Sequence, residues 1–326
     1  MATYKEIHGT NIESLSSDPS NPLNGQMWYN STTKELKGYT SNPAGTWATA
    51  NSRNAAMRHF YGTGNVPTTI TTGGQDGPGA QSGVTETFNG TSWTEESDLN
   101  TSRAYAGMSG DSTAALASGG QASGSEALTE IWNGSNWTEV NDLNTSRFSA
   151  TGAGTSTSAL AIGGNSSPPY IANTEQWNGT NWTEVNDLNE ARSKASSEGT
   201  VTAAVIGGGE PASSPTSALT ESWNGTNWTE VNDLNTGRAS SGSTAGSDYT
   251  SFLVFGGGPS ATGKTEEWNG TNWTETTDMS TARLALGGSG SGSTSALAFG
   301  GTPPNNVTTT EAWTAPTTNT VTFTAS

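Results

Sequence analysis

The sequence predicts an all-β fold, a β-propeller of six blades with four antiparallel strands each, five and seven blades being the alternatives. Three observations predict it. A block spanning Thr85–Arg103 recurs at Thr129–Arg147, Thr174–Arg192, Thr220–Arg238 and Thr265–Arg283. A short apolar run ending in a glycine pair lies between the blocks, as in SALAIGG to Gly164 and SALAFGG to Gly301. The chain also begins and ends midway through a repeat. Repeats of this size are the signature of propellers and arrays.

Taken from the N-terminus, residues 1–45 read as a lead and a β-hairpin, a possible docking segment, and residues 46–326 as the propeller. Asp18-Pro19 and Asn21–Gly25 are turn-rich. Gln26–Asn30 and Lys34–Tyr39 are the expected hairpin arms, turning at Ser31–Thr33. A degenerate repeat follows, with Trp47 in the second-Trp slot, Arg58 one residue late for the Arg slot and Gly73–Gly74 in the glycine-pair slot.

Each full repeat reads as four strands. FSATGAGTS is small and alternating. ALAIGG is a short apolar run bounded by glycine, as a strand buried on both faces requires. TEQW leads into Asn-Gly, a hairpin signal that calls for positive φ at both turn residues. NWTEV is the fourth strand, and DLN closes with turn residues. The first aromatics, Phe88, Trp132, Trp177, Trp223 and Trp268, lie 44 to 46 residues apart. One repeat has too little apolar surface to offset the ordering of its own chain, so the Trp pairs are expected between neighbouring blades. Downstream, Glu311 and Trp313 start a repeat that then stops. The expected remedy is a shared blade, completed by strands from both termini, which leaves no open sheet edge.

Composition narrows the function. Twelve Lys and Arg stand against 29 Asp and Glu, a net charge of −17, so the chain lacks the basic stripe that nucleic acid or an anionic membrane surface requires. There is no cysteine, which excludes disulfides and thiolate metal sites. Two histidines, His8 and His59, leave little for a histidine metal site or a triad. The first residues lack the apolar core of a signal peptide, and no window reaches the length of a membrane span. Glycine (42) and proline (13) stay below the roughly 25–30% of low-complexity chains, and 12 tryptophans argue for a packed core over disorder.

A glycine pair after an apolar strand, then Glu-x-Trp, a second Trp and an Arg resembles the kelch repeat over about residues 45–313. The tight WNGTNW hairpin and the high Ser/Thr/Gly content depart from the usual kelch pattern. The stretch MATYKEIHGTNIESLSSDPSNPLNGQMWYNSTTKELKGY resembles the start of kelch-like virion proteins of marine tailed bacteriophages. In these a GQMWYNSTTKELK-like hairpin precedes repeats of the NGTNWTEVNDLNTSR kind. The resemblance implies a tail or fibre protein of a virion, with other virion proteins as partners and a host-surface glycan or protein as a further one.

Several residue sets invite chemistry. The recurring Glu86, Glu130, Glu175, Glu221, Glu266 and Glu311 and the recurring Arg58, Arg103, Arg147, Arg192, Arg238 and Arg283 could form acid–base pairs. An active site is asymmetric, however, so structural pairing is the stronger reading. Asp98, Asp142, Asp187, Asp233 and Asp278 lack EF-hand spacing and read as turn-fixing residues, not calcium ligands. The Asn-x-Thr/Ser triplets read as hairpin chemistry and not as glycosylation sites. A copper-radical oxidase is excluded by the lack of cysteine, and sialidase boxes are missing.

Specificity is expected in the irregular loops after the glycine pairs, at Gln75–Gly83, Gln121–Ala127, Asn165–Asn173, Glu210–Ala218 and Pro259–Lys264, emerging on one face. Tyr170 is their lone aromatic and the one candidate ligand contact. The expectation is a non-enzymatic virion protein without cofactor or metal. An intracellular kelch adaptor is the alternative, and a propeller hydrolase a more distant one.

Overall fold

The computed structural model describes residues 12–23, 25–42, 45–77, 79–166, 169–302 and 304–323; His8, Asn24 and residues 167–168 of the Tyr170 loop lie outside them. The architecture is all-β and β-propeller-like, built from four-stranded sheets. The chain divides into two units, one of residues up to Thr46 and from Ala315 onward, the other Trp47–Thr314. The C-terminal residues therefore depart from the 46–326 unit expected from sequence, because their strand pairs with the N-terminal hairpin.

The N-terminal unit holds one sheet, ordered Glu13–Leu15, Met27–Asn30, Glu35–Asn42 and Thr317–Phe323. The hairpin arms fall within two or three residues of their expected positions, and Glu13–Leu15 adds in parallel. Asp18 organises this unit. Its carboxylate accepts from Trp28 Nε1 at 3.0 Å, Asn30 Nδ2 at 2.7 Å and Lys37 Nζ at 2.8 Å. Those bonds, Lys37 first, hold its pKa down to about 2.

The second unit contains six four-stranded sheets, called I to VI here. Sheet I comprises Tyr61–Thr63, Thr69–Thr72, Thr85–Phe88 and Trp93–Glu95. Sheet II comprises Gly107–Asp111, Ala114–Ser118, Thr129–Trp132 and Trp137–Glu139. Sheet III runs Thr151–Thr155, Ser158–Ile162, Thr174–Trp177 and Trp182–Val185. Sheet IV runs Ser196–Thr200, Ala203–Gly207, Thr220–Trp223 and Trp228–Glu230. Sheet V has Gly242–Ser243, Phe252–Phe255, Thr265–Trp268 and Trp273–Glu275. Sheet VI has Gly287–Ser291, Ser295–Phe299 and Thr310–Thr314 from the end of the chain, and takes Thr46–Ala50 from its beginning as fourth strand. The two ends of the repeat region thus share one sheet.

The core lies at the junctions between sheets. Leu116 of sheet II packs with Ala159, Ala161, Trp177 and Trp182 of sheet III, and Leu160 and Ile162 of sheet III pack with Trp223 and Trp228 of sheet IV. Val205 of sheet IV meets Trp268 and Trp273 of sheet V, and Phe255 of sheet V meets Trp313 and Trp47 of sheet VI. Leu297 and Phe299 of sheet VI meet Phe88 and Trp93 of sheet I, whose Ile70 meets Trp132 and Trp137 of sheet II. A sheet with one apolar face alone would expose these indoles, and sharing them between sheets removes them from water. Within each Trp pair the ring centroids sit 5.3 to 5.6 Å apart, Trp47 pairing with Trp313 at 5.6 Å and Trp223 with Trp228 at 5.3 Å, and Phe88 lies 5.1 Å from Trp93.

The Asn-Gly hairpins differ from expectation. Phe88 faces Trp93 across a four-residue loop, and Gly90 alone of that loop has positive φ, at 92°. Asn89 stays in the ordinary region because its Oδ1 accepts from the backbone N–H groups of Thr91 and Ser92, both at 2.9 Å. The side chain closes this turn, so a two-residue turn with both φ positive is not needed.

The glycine pairs answer a close approach. A Cβ on Gly119 would lie 2.5 Å from the Arg147 carbonyl oxygen, and the N–H of Gly120 donates to that same oxygen at 2.8 Å. Just before the first strand of each of sheets I to VI sits a non-glycine residue with φ between 54° and 59°: His59, Tyr105, Ser149, Lys194, Ser240 and Ala285. Their backbones bond in sequence. Tyr105 N–H donates to His59, Ser149 to Tyr105, Lys194 to Ser149, Ser240 to Lys194 and Ala285 to Ser240, at 2.8 to 3.0 Å. His59 N–H then donates to the Ala285 carbonyl at 3.0 Å, so the series returns to its start. The bonds offset the cost of a left-handed backbone at residues that ordinarily avoid it.

Candidate functional site

Most of the repeated polar residues are consumed by folding. Arg103 Nη1 meets Glu130 Oε1 at 2.6 Å with both side chains buried, and the other Glu130 oxygen accepts from the Asn100 backbone N–H at 2.9 Å and Asn100 Nδ2 at 2.7 Å. The same pairing joins Arg147 to Glu175 at 2.6 Å, Arg192 to Glu221 at 2.7 Å, Arg238 to Glu266 at 2.5 Å and Arg283 to Glu311. Burial pulls the Arg103 guanidinium pKa downward, and Glu130 opposes that pull. A carboxylate saturated by one guanidinium and two amide donors is a structural tie between one linker and the next sheet.

The expected sixth arginine needs correcting. Arg53, not Arg58, pairs with Glu86, at 3.0 Å. In the other repeats the residue six after the second Trp is Leu99, Leu143, Leu188, Leu234 or Met279, and the residue ten after it is the arginine. Following Trp47, those positions hold Arg53 and Met57. The cation and the apolar residue have exchanged places, and both remain buried. Met57 keeps the backbone role of the arginine slot, its carbonyl accepting from Gly301 N–H at 2.9 Å as Arg147 accepts from Gly120. Arg53 also lies over the Phe60 ring at 4.6 Å and the Trp93 ring at 5.7 Å. At this junction alone of those described the indole-to-threonine bond is missing, and Trp93 Nε1 and Thr310 Oγ1 are both buried without a hydrogen-bond partner.

The aspartates fix strands. Asp98, Asp142, Asp187 and Asp233 accept from the backbone N–H of Thr85, Thr129, Thr174 and Thr220 at 3.1 to 3.3 Å. No group of three or more His, Cys, Asp or Glu disposed to hold a metal ion occurs among the described residues.

The residues that do not repeat gather around the linker cycle. Arg58 falls one position after the arginine slot, where the other repeats have Ala104, Phe148, Ser193, Ala239 and Leu284. The cycle itself presents His59, Tyr105, Lys194, Ser240 and Ala285 to one hollow. His59 stacks on Tyr105 with centroids 4.5 Å apart, and Phe148 meets the Tyr105 ring edge-on at 5.9 Å. Burial, with Arg58 and Lys194 nearby, lowers the His59 pKa to about 4, so the ring is uncharged at neutral pH. Lys194 Nζ reaches Glu210 at 2.6 Å, and the Tyr170 hydroxyl donates to the other Glu210 oxygen at 2.6 Å. That bond raises the Tyr170 pKa to about 12.

Tyr170, the candidate contact read from the sequence, is thus brought to this rim and tied to residues of the following repeat. Arg58, His59, Tyr105, Lys194 and Glu210 were not singled out as contacts by that reading. The available signal was variation at fixed slots: one and two residues after the arginine slot the repeats carry Arg, Ala, Phe, Ser, Ala and Leu and then His, Tyr, Ser, Lys, Ser and Ala, while the Glu-x-aromatic and second-Trp slots scarcely change. No protein-family model and no curated protein matches the chain.

Proposed function

We propose that the chain is a six-bladed kelch-like propeller, closed by strands from both termini, that serves as a non-enzymatic structural and binding protein of a phage virion, in a tail or fibre. Six four-stranded sheets, the indole clusters at their junctions and the returning series of linker hydrogen bonds support the six-bladed reading. The observation that carries the binding reading is the division of labour among polar residues. The repeated carboxylate–guanidinium pairs are buried and saturated, whereas the irregular side chains collect at one rim. Loops on a rigid scaffold are where recognition is usually placed.

The virion assignment rests on the resemblance of residues 1–39, above all GQMWYNSTTKELK, to kelch-like phage proteins. Other virion proteins are then the partners of the chain, and a host-surface glycan or protein is the ligand class of the rim. Gold-labelled antibodies against the chain, applied to purified particles of a phage that encodes it, test this assignment. Decorated particles are expected. Bare particles, with the chain confined to the lysate of infected cells, overturn it in favour of an intracellular adaptor.

A further inference from the structure

We propose that the rim around the linker cycle binds a sugar acid, a hydroxylated ring bearing a carboxylate, with Arg58 as the partner of that carboxylate. The inference rests on the reading of this rim as a binding face and names its ligand class.

Arg58 is an arginine the repeat does not need. The chain has seven arginines, and the other six each pair with a buried glutamate. Arg58 has no carboxylate within ion-pair distance among the described residues, and its Nε is buried without a hydrogen-bond partner. In a protein of net charge −17, a guanidinium spared from neutralisation at an irregular rim is a specific feature. Its planar fork matches a carboxylate in two parallel hydrogen bonds.

The surroundings select the rest of the ligand. His59 is neutral beside Arg58, and with Tyr105 it forms a half-buried aromatic wall that suits the apolar face of a sugar ring. Glu210 is held by Lys194 and by the Tyr170 hydroxyl while remaining about a quarter exposed, which leaves donors and acceptors fixed for ring hydroxyls. The hollow at the centre of the cycle is about 10 Å³, near the lower limit for one water, so a ligand lies across the rim and does not enter the axis. An adjoining hollow lined by Glu210, Ser240 and Pro259 is about 210 Å³. That is below the roughly 300–1,000 Å³ of drug-sized pockets and favours a single ring over a folded partner.

The test is a titration of the full chain with glucuronic acid, with glucose as the neutral counterpart, read by NMR on the His59 ring and by calorimetry. With only two histidines, the His59 resonances are readily assigned. The expected result is that glucuronate shifts His59, that glucose binds about tenfold more weakly, and that Arg58→Gln removes this preference while Arg58→Lys, which keeps the charge but not the planar fork, retains only part of it. Equal binding of the two sugars, or an Arg58→Gln variant within about two-fold of the parent, overturns the sugar-acid assignment. In that case the binding reading survives if Tyr105→Ala abolishes both interactions. Silence at His59 and no heat with either sugar overturn the sugar-acid assignment and leave a protein as the ligand class of the rim.

Discussion

The indole Nε1 of Trp47 donates to the Thr265 hydroxyl at 3.1 Å, across 218 residues of sequence. Trp137, Trp182, Trp228 and Trp273 make the same bond to Thr85, Thr129, Thr174 and Thr220 of the preceding sheet, at 2.9 to 3.2 Å. A strand near the beginning of the chain therefore does in sheet VI what the fourth strand of a complete repeat does elsewhere. Trp47→Ala is expected to cost about 3–5 kcal/mol, as large-to-small changes at buried aromatics do. Thr265→Val, which removes only the hydrogen-bond partner, should cost about 1 kcal/mol. Urea denaturation checks both, with Trp182→Ala as the internal standard. A Trp47 variant far milder than the Trp182 variant contradicts the equivalence.

The exchange of Arg53 and Met57 predicts a rescue. Arg53→Leu leaves Glu86 buried without its cation and should destabilise by about 3–5 kcal/mol. Adding Met57→Arg restores the order of the other repeats, so the double variant should recover most of that loss. A double variant less stable than Arg53→Leu alone shows that the two positions are not interchangeable.

Glu198 supplies a pH dependence. It lies on the first strand of sheet IV, where sheets II, III and VI carry Ser109, Ala153 and Ser289, and it is 1% exposed. The Thr244 hydroxyl donates to one of its oxygens, and the N–H groups of Gly246 and Gly292 donate to the other at 3.1 Å each. Burial nevertheless raises its pKa from 4.5 to about 8. Between those values the folded protein holds a proton that the unfolded chain has released. The Glu198 contribution is therefore fully present below about pH 4.5, declines as pH rises and is lost through about pH 8. Glu198→Gln keeps an acceptor for the two N–H groups and cannot ionise. Denaturation midpoints across pH 5–9, an interval of about two units either side of neutrality, should fall for the parent relative to this variant. Parallel profiles contradict the assignment.

The period, the four strands per repeat, the glycine pairs and the place of Trp47 were legible in the sequence, because large aromatics and obligatory glycines occupy fixed slots. The Arg53–Glu86 pair was not. Spacing pointed to Arg58, and a swap between two buried positions leaves the composition of the segment unchanged. The linker cycle was equally hidden. Positive φ is sought at glycine and asparagine, but here it falls on His59, Tyr105 and Lys194, whose strain is offset by hydrogen bonds to linkers about 45 residues away. Tyr170 stood out as an aromatic among small loop residues, yet its partner Glu210 lies in another repeat and only the fold brings them together.

Amide hydrogen exchange in the intact chain tests the closed arrangement most directly, because the bond from His59 N–H to the Ala285 carbonyl is the link that completes the series. The amides of His59, Tyr105, Ser149, Lys194, Ser240 and Ala285 should be protected together and open with one common free energy. Exchange of the His59 amide at the rate of an unprotected residue, with the other five still protected, contradicts closure.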